Sequence, residues 1–412
     1  MTHRSNGSSA TPDVAAARPG VRGRETPAKT VGGPPLDYAR RRLLLGITAV
    51  GTMVLLAAAL LASGLPGRLL PSPEAGFGPQ LGSLSAFLGM YALLHAPFDV
   101  LGGYVLPRSC GRSHKPWPAF VAGLIRGVLG HTGLLFLIGA AMLAAGQILG
   151  PVGLPLAGIA ASLVVLHSRF GLARLLAPIR DVAREAGRRD GLDTEVVATD
   201  DEGFTGGITG VVRPRVSVIP QRWQDALGPI GEGLARRRRD LAVSTGQWAR
   251  GRVVALSFTW IGLGVATLAV DRSEAGSAVG VVDFASAFTL WSFLGLLTLP
   301  TLSRQGARRV DAALLDDAPE SAATPQEVQR LIGRLDELQD DEPSRRPIVE
   351  AIFHPIPSVE NRGDPGAGRR TPAAWDAART NIVLGLSGMG LLSRAVHCNC
   401  GRPELWIFLP TD

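Results

Sequence analysis

Apolar residues along this chain gather into long unbroken runs instead of recurring at surface-helix spacing. Six such runs occupy 43–62, 84–106, 120–149, 152–167, 253–270 and 281–300. A hydrocarbon core about 30 Å thick needs roughly 20 apolar helical residues to cross it, so the pattern predicts a mainly α, multi-pass transmembrane helical bundle. The fourth run is short and contains Pro155, which leaves a re-entrant segment open beside a full span. Gly150 and Pro151 predict a tight turn joining it to the third run.

Between the fourth and fifth runs the period changes. Leu172, Leu175, Leu176, Ile179, Val182, Ala183 and Ala186 recur at helical spacing among Arg174, Arg180, Arg184 and Arg188, predicting a basic juxtamembrane amphipathic helix over 168–193. Short β-branched stretches at 195–198, 208–212 and 216–219, broken by glycines, predict small antiparallel strands. Residues 221–246 return to helical spacing, with Trp223, Leu227, Ile230, Leu234 and Leu241 as apolar positions. The basic run Arg236 to Arg239 is expected to face solvent or lipid headgroups.

After the last run, helical character continues over 303–315. Thr324-Pro325-Gln326-Glu327 then supplies an N-cap, a first-turn proline and a capping-box acid for another helix ending near 338. Residues 363–372 read as a Gly/Pro/Arg-rich linker, and 373–396 as a final helix too short and mixed to span. Residues 1–39, rich in Gly, Pro, Ser, Thr and Arg, predict a disordered tail, not a signal peptide.

Charge orients the bundle. Eight Lys or Arg residues precede the first run, the loop 63–83 carries only Arg68, the next loop holds Arg108, Arg112 and Lys115, and 168–252 holds fifteen Arg. Because cytoplasmic loops retain basic residues, both termini and most of the polar mass are expected on the cytoplasmic side of a bacterial inner membrane. The net charge of +7 then reflects topology and contact with the lipid bilayer. Nucleic acid is not expected as a partner, since the arginines flank apolar runs and are not interleaved with aromatics. Other membrane proteins are conceivable partners, and oligomeric state is unassigned.

The order of parts over 195–362 resembles the HtpX-like family of membrane zinc metallopeptidases. Phe204-Thr-Gly-Gly-Ile with Val218-Ile-Pro is similar to that family's β region, and 253–300 to its transmembrane hairpin. Phe353-His-Pro-Ile-Pro-Ser-Val-Glu-Asn-Arg362 is similar to its late segment. Ser303-Arg-Gln-Gly-Ala-Arg-Arg-Val-Asp311 lies in register with its third-ligand helix, matching at Ser303, Arg304 and Asp311, while the ligand position itself is Ala307. The resemblance implies a cytoplasmic zincin-like α+β domain over 194–362, interrupted by the hairpin. It places the HExxH motif either on Gly231–Ala235, retaining only Glu232 as the general-base position, or on Arg238–Ala242. No His lies between His167 and His354, so neither register offers two imidazoles. Catalytic zinc normally takes three protein ligands, so no cofactor is expected at these positions. His354 is expected to be structural.

Two other clusters could carry chemistry. Cys110 and His114 share one loop, and His397, Cys398 and Cys400 lie near the C-terminus; together they could complete a zinc site, although unligated thiols explain them as well. His95 and Asp99 stand one turn apart within the second run, and Arg126 and His131 lie in the third. All four are costly in lipid and should face inward, with Asp99 and Arg126 at a depth where they can pair. No phosphate-binding loop or nucleophile elbow is present. Taken together the residues predict a 40–167 four-span bundle, the 168–193 helix, the 194–362 domain and a 363–412 linker, helix and tail. The leading reading is a degenerate metallopeptidase-like scaffold; the alternatives are an active peptidase with displaced ligands and a transporter-like or lipid-handling bundle.

Overall fold

The computed structural model describes residues 35–185, 192–201, 203–211, 215–317, 324–339, 345–362, 372–396 and 399–408. Most of the predicted N-terminal tail, the predicted 363–371 linker, His397 and Cys398 lie outside the described residues. The first helix, α1 (Pro35–Ser63), begins inside the predicted tail, because Tyr38 is buried with the guanidiniums of Arg42 and Arg112 against its ring. After the short α2 (Leu65–Leu69), α3 (Phe77–Val100) runs through a π-helical turn (Leu101–Val105) into α4 (Leu106–Ser109).

Five stretches are long and apolar enough to cross a membrane, and the third holds two of the predicted runs, in α5 (Trp117–Leu149) and α6 (Gly153–Leu176). Gly150, at φ +63 and ψ −149, reverses the chain between them in a conformation that side-chain-bearing residues avoid. The two helices are antiparallel, since Arg126 near the start of α5 donates to the carbonyls of Arg174 and Leu175 at the end of α6. With 24 residues, α6 rises about 36 Å, enough to cross a bilayer.

The predicted amphipathic helix over 168–193 does not form as one element. Helix α6 ends at Leu176, ahead of Pro178, and β1 (Arg180–Glu185) pairs antiparallel with β2 (Asp193–Ala198). The apolar periodicity persuades only as far as the proline, which disfavours helix for the residue before it. The strand order is β1-β2-β4-β3, with β3 (Gly207–Thr209) antiparallel to β4 (Val216–Pro220) but β4 parallel to β2. The predicted all-antiparallel arrangement therefore gives way to a mixed sheet.

Strand β4 leads directly into α7 (Gln221–Ser244), which bends at Gly228. Helices α8 (Gln247–Ala266) and α9 (Ala278–Asp317) form the hairpin, and α9 carries on past the apolar run to present its last turns to α7. Helix α10 (Pro325–Leu338) starts on the predicted capping box: Thr324 N–H donates to Glu327 Oε2 at 2.6 Å, and Glu327 N–H donates back to Thr324 Oγ1 at 3.3 Å. Leu331 and Leu335 then pack on Trp223, Ala235 and Ile219. The short α11 (Pro347–Phe353) and α12 (Val359–Arg362) follow.

The C-terminal part departs furthest from expectation. Only α13 (Ala377–Leu384) is α-helical within the predicted 373–396 helix, and every described residue from Ala373 to Phe408 except Arg402 is buried. This segment lies inside the bundle. A Cβ on Gly103 would collide with the Gly401 carbonyl oxygen, and one on Gly251 with the Trp375 carbonyl oxygen, so glycine is what lets the backbones approach. The main core accordingly joins Leu391, Leu392, Trp406 and Phe408 to residues of α1, α3, α5, α6, α8 and α9.

Candidate functional site

The site implied by the resemblance lies where α7 meets the far end of α9. Leu241, Ala242, Ala307 and Val310 belong to one apolar cluster with Ile208, Trp248 and Trp375. One turn before Ala242, the fully buried Arg238 donates through Nε to Asp311 Oδ1 at 2.6 Å. Its neighbour Arg239, also fully buried, donates to the carbonyls of Val218 and Thr205, each at 2.7 Å, and to Ser217 Oγ at 3.1 Å. The predicted basic run is thus split. Arg238 and Arg239 tie α7 to α9 and to the sheet, because a buried guanidinium is tolerated only where acceptors meet its fork.

Positions 238 and 242 face Ala307 and Asp311, whereas Ala235 packs in the separate cluster with Leu331 and Leu335. Glu232 sits at the half-buried surface, accepting from Gln224 Nε2 and from Arg236 Nε, both at 3.1 Å, with Glu185 on the other side of Arg236. In the register that converges, the four positions hold Arg238, Arg239, Ala242 and Ala307. Two guanidiniums and two methyl groups offer no lone pair to a cation, so these residues do not fit zinc.

His354 lies elsewhere. The Arg304 guanidinium donates to the carbonyls of Glu350, Ala351 and His354 at 2.6, 2.8 and 3.0 Å, closing the end of α11. Glu350 in turn accepts from Ser358 Oγ at 2.7 Å and Asn361 Nδ2 at 2.9 Å. The late segment is thereby docked on α9, and His354 borders an apolar cavity of about 250 Å³ between α1, α9 and α13. Ser303 accepts from Ala378 N–H at 3.0 Å, so the conserved-looking start of the third-ligand motif fastens the C-terminal segment instead of a metal helix.

The intramembrane polar residues do converge, with one exchange of partner. Asp99 pairs with the fully buried Arg394 and accepts from Gly401 N–H at 2.8 Å, with His95 Nδ1 at 3.5 Å. His131 Nε2 shares a hydrogen bond of 2.9 Å with Ser393 Oγ and lies edge-on to Trp406. Arg126, the predicted partner of Asp99, is exposed and spends its donors on the end of α6. Spacing could not reveal Arg394, which is 295 residues from Asp99 in sequence. The available signal was a lone Arg set in the apolar string Leu391-Leu392-Ser393-Arg394-Ala395-Val396.

Of the cysteine and histidine set, His397 and Cys398 lie outside the described residues. Cys400 is buried with Sγ 3.6–3.8 Å from the carbonyls of Arg394, Ala395 and Val396, while Cys110 is partly exposed beside Ser109 and His114 is exposed. Among the described residues no three His, Cys, Asp or Glu side chains gather as a metal would require.

The described residues form a multi-pass helical bundle with a small mixed four-stranded sheet and with α7 packed on the hairpin helix α9. Among solved structures it is similar to the crystal structure of S. mikatae Ste24p, with a TM-score of 0.60 at 13% identity, over 80% of this chain and 86% of that one. No family model matches the chain, and no curated protein matches it in sequence.

Proposed function

We propose that this protein is a catalytically degenerate membrane metallopeptidase homologue that acts as a binding or regulatory scaffold for other membrane proteins. The observation that carries the reading is the Arg238–Asp311 pair packed beside Ala242 and Ala307. A zinc-activated water needs ligand lone pairs and a site that tolerates a dication. Guanidiniums at two of the four positions repel one, and methyls at the others cannot hold it. The burial of the described residues of 373–408, Arg402 excepted, inside the bundle supports the same reading, since that space is filled by the chain's own segment.

The sheet, the 108–115 loop and the start of α1 share one end of the bundle, and the arginine distribution supports a reading in which that end faces the cytoplasm. A transporter-like bundle draws less support, because Asp99 and His131 are engaged with the C-terminal segment. The test is cleavage of an unfolded membrane protein by the purified full chain in nanodiscs, with added zinc. Cleavage no faster than in buffer is expected. Turnover abolished by 1,10-phenanthroline would overturn the proposal in favour of a peptidase with displaced ligands.

A further inference from the structure

A polar cavity of about 520 Å³ opens at the sheet-bearing end of the bundle, apart from the α7–α9 site. Tyr38, Arg112, His114 and Lys115 form one part of its wall, and Asp201 and Glu404 another. Asp201 is already matched: Arg402 Nε reaches its two oxygens at 2.9 and 3.1 Å, and Gly203 N–H donates to it at 2.7 Å. Glu404 is different. It is 4% exposed and lines the cavity, and its carboxyl accepts its own backbone N–H, but among the described residues it takes no hydrogen bond from another side chain and stands in no ion pair. Lys115 lines the same cavity, and among the described residues its ammonium pairs with no carboxylate, Glu404 included. The cavity therefore holds a carboxyl and an ammonium that face a common space without meeting.

Such a pair is complemented by one small molecule bearing both an ammonium and an oxyanion. The depth of the cavity indicates which. Tyr104, Trp117 and Phe120 form an aromatic cluster beside it, with ring centroids 4.9–5.7 Å apart, and Trp117 is 47% exposed at the start of α5. Aromatic rings at the ends of spans mark the level of lipid headgroups.

We infer that this cavity binds a phosphoethanolamine-type zwitterion, with the ammonium on Glu404 and the phosphate on Lys115, flanked by Arg112 and His114. Burial first, and then the charge of Asp201, push the Glu404 carboxyl up to about 7, while its own backbone N–H, and after it Lys115 and Arg402, draw it down. A bound ammonium would favour its ionised form further, which is the direction that makes the pairing favourable. The group can come from a phosphatidylethanolamine headgroup or from a soluble molecule with the same ends.

The test uses the full chain in nanodiscs containing phosphatidylethanolamine, phosphatidylcholine or phosphatidylglycerol, with retained lipid counted by native mass spectrometry. Soluble O-phosphoethanolamine is titrated separately into detergent-purified protein. Phosphatidylethanolamine should be retained about tenfold over the other two, and Glu404→Gln and Lys115→Met should each remove that preference, as expected for losing a charge-assisted bond. If only soluble O-phosphoethanolamine binds, and the same two variants abolish it, the site stands with a soluble ligand. Equal retention of all three lipids with no binding of the soluble compound would overturn the inference. So would preference that persists in both variants. Lys115 is partly exposed, so Lys115→Met keeps the test decisive if Glu404→Gln fails to fold.

Discussion

Asp99 and Arg394 are both fully buried, each satisfying a charge that would otherwise be stranded in the bundle. Removing one member leaves the other desolvated and unpaired, a loss of about 3–5 kcal/mol, whereas removing both leaves only a packing defect. Asp99→Leu and Arg394→Leu should therefore each lower stability sharply in detergent unfolding, and the double variant should lose less than the sum of the two. Strict additivity would sink the pairing. Glu404 makes a second prediction. Burial, then Asp201, raise its carboxyl from 4.5 to about 7, so the folded chain keeps a proton that the unfolded chain releases. Its contribution is complete below the ordinary glutamate range and is lost as pH rises towards 7. Asp201 works the other way: burial raises it, but Arg402, Gly203 and Arg222 hold it low, so its contribution is lost only as pH falls below the ordinary aspartate range. With Asp201, Lys115, Arg402 and His114 around Glu404, the melting temperature of the parent chain relative to Glu404→Gln should fall between about pH 5 and 7, and a difference constant over that window would refute the assignment.

At the scale of elements, the register of α7 against α9 is open to direct construction. Combining Arg238→His, Arg239→Glu, Ala242→His and Ala307→Glu should create about one zinc per chain, read by elemental analysis, whereas Gly231→His and Ala235→His with Ala307→Glu should create none. A folded quadruple variant without zinc would show that these side chains do not converge as described. Glycine contacts between helices and the C-terminal segment give a second check. Gly103→Ala should cost about 1–3 kcal/mol through overpacking against Gly401, while Gly89→Ala, whose Cβ would meet nothing within 4 Å, should cost nothing. The elements that were legible were those set by local chemistry: the apolar helices, the Gly150 turn and the Thr324–Glu327 cap. Strand β1 was not, because all six of its side chains are exposed and its conformation comes from pairing with β2.

For the whole molecule, the C-terminal segment is the centre of the bundle and not an appendage. Deleting residues 372–412 should strand Asp99 and His131 around an empty interior, so size-exclusion chromatography should show loss of monodisperse protein. A truncated chain that stays monodisperse with an unchanged melting temperature would refute that placement. Sequence alone determined that the chain crosses a membrane several times and which family's order of parts it resembles. These follow from length, hydropathy and local turn chemistry, which act over a few residues. Sequence also showed that no His lies between His167 and His354. Only the tertiary structure decided which residues face Ala307, that Arg238 and Arg239 turn inward, that Asp99 meets Arg394 and not Arg126, and that 373–408 fills the bundle. Each of those depends on contacts between residues tens to hundreds of positions apart. A charge or a small residue carries no mark of its distant partner until packing brings the two together, and burial then makes the match obligatory.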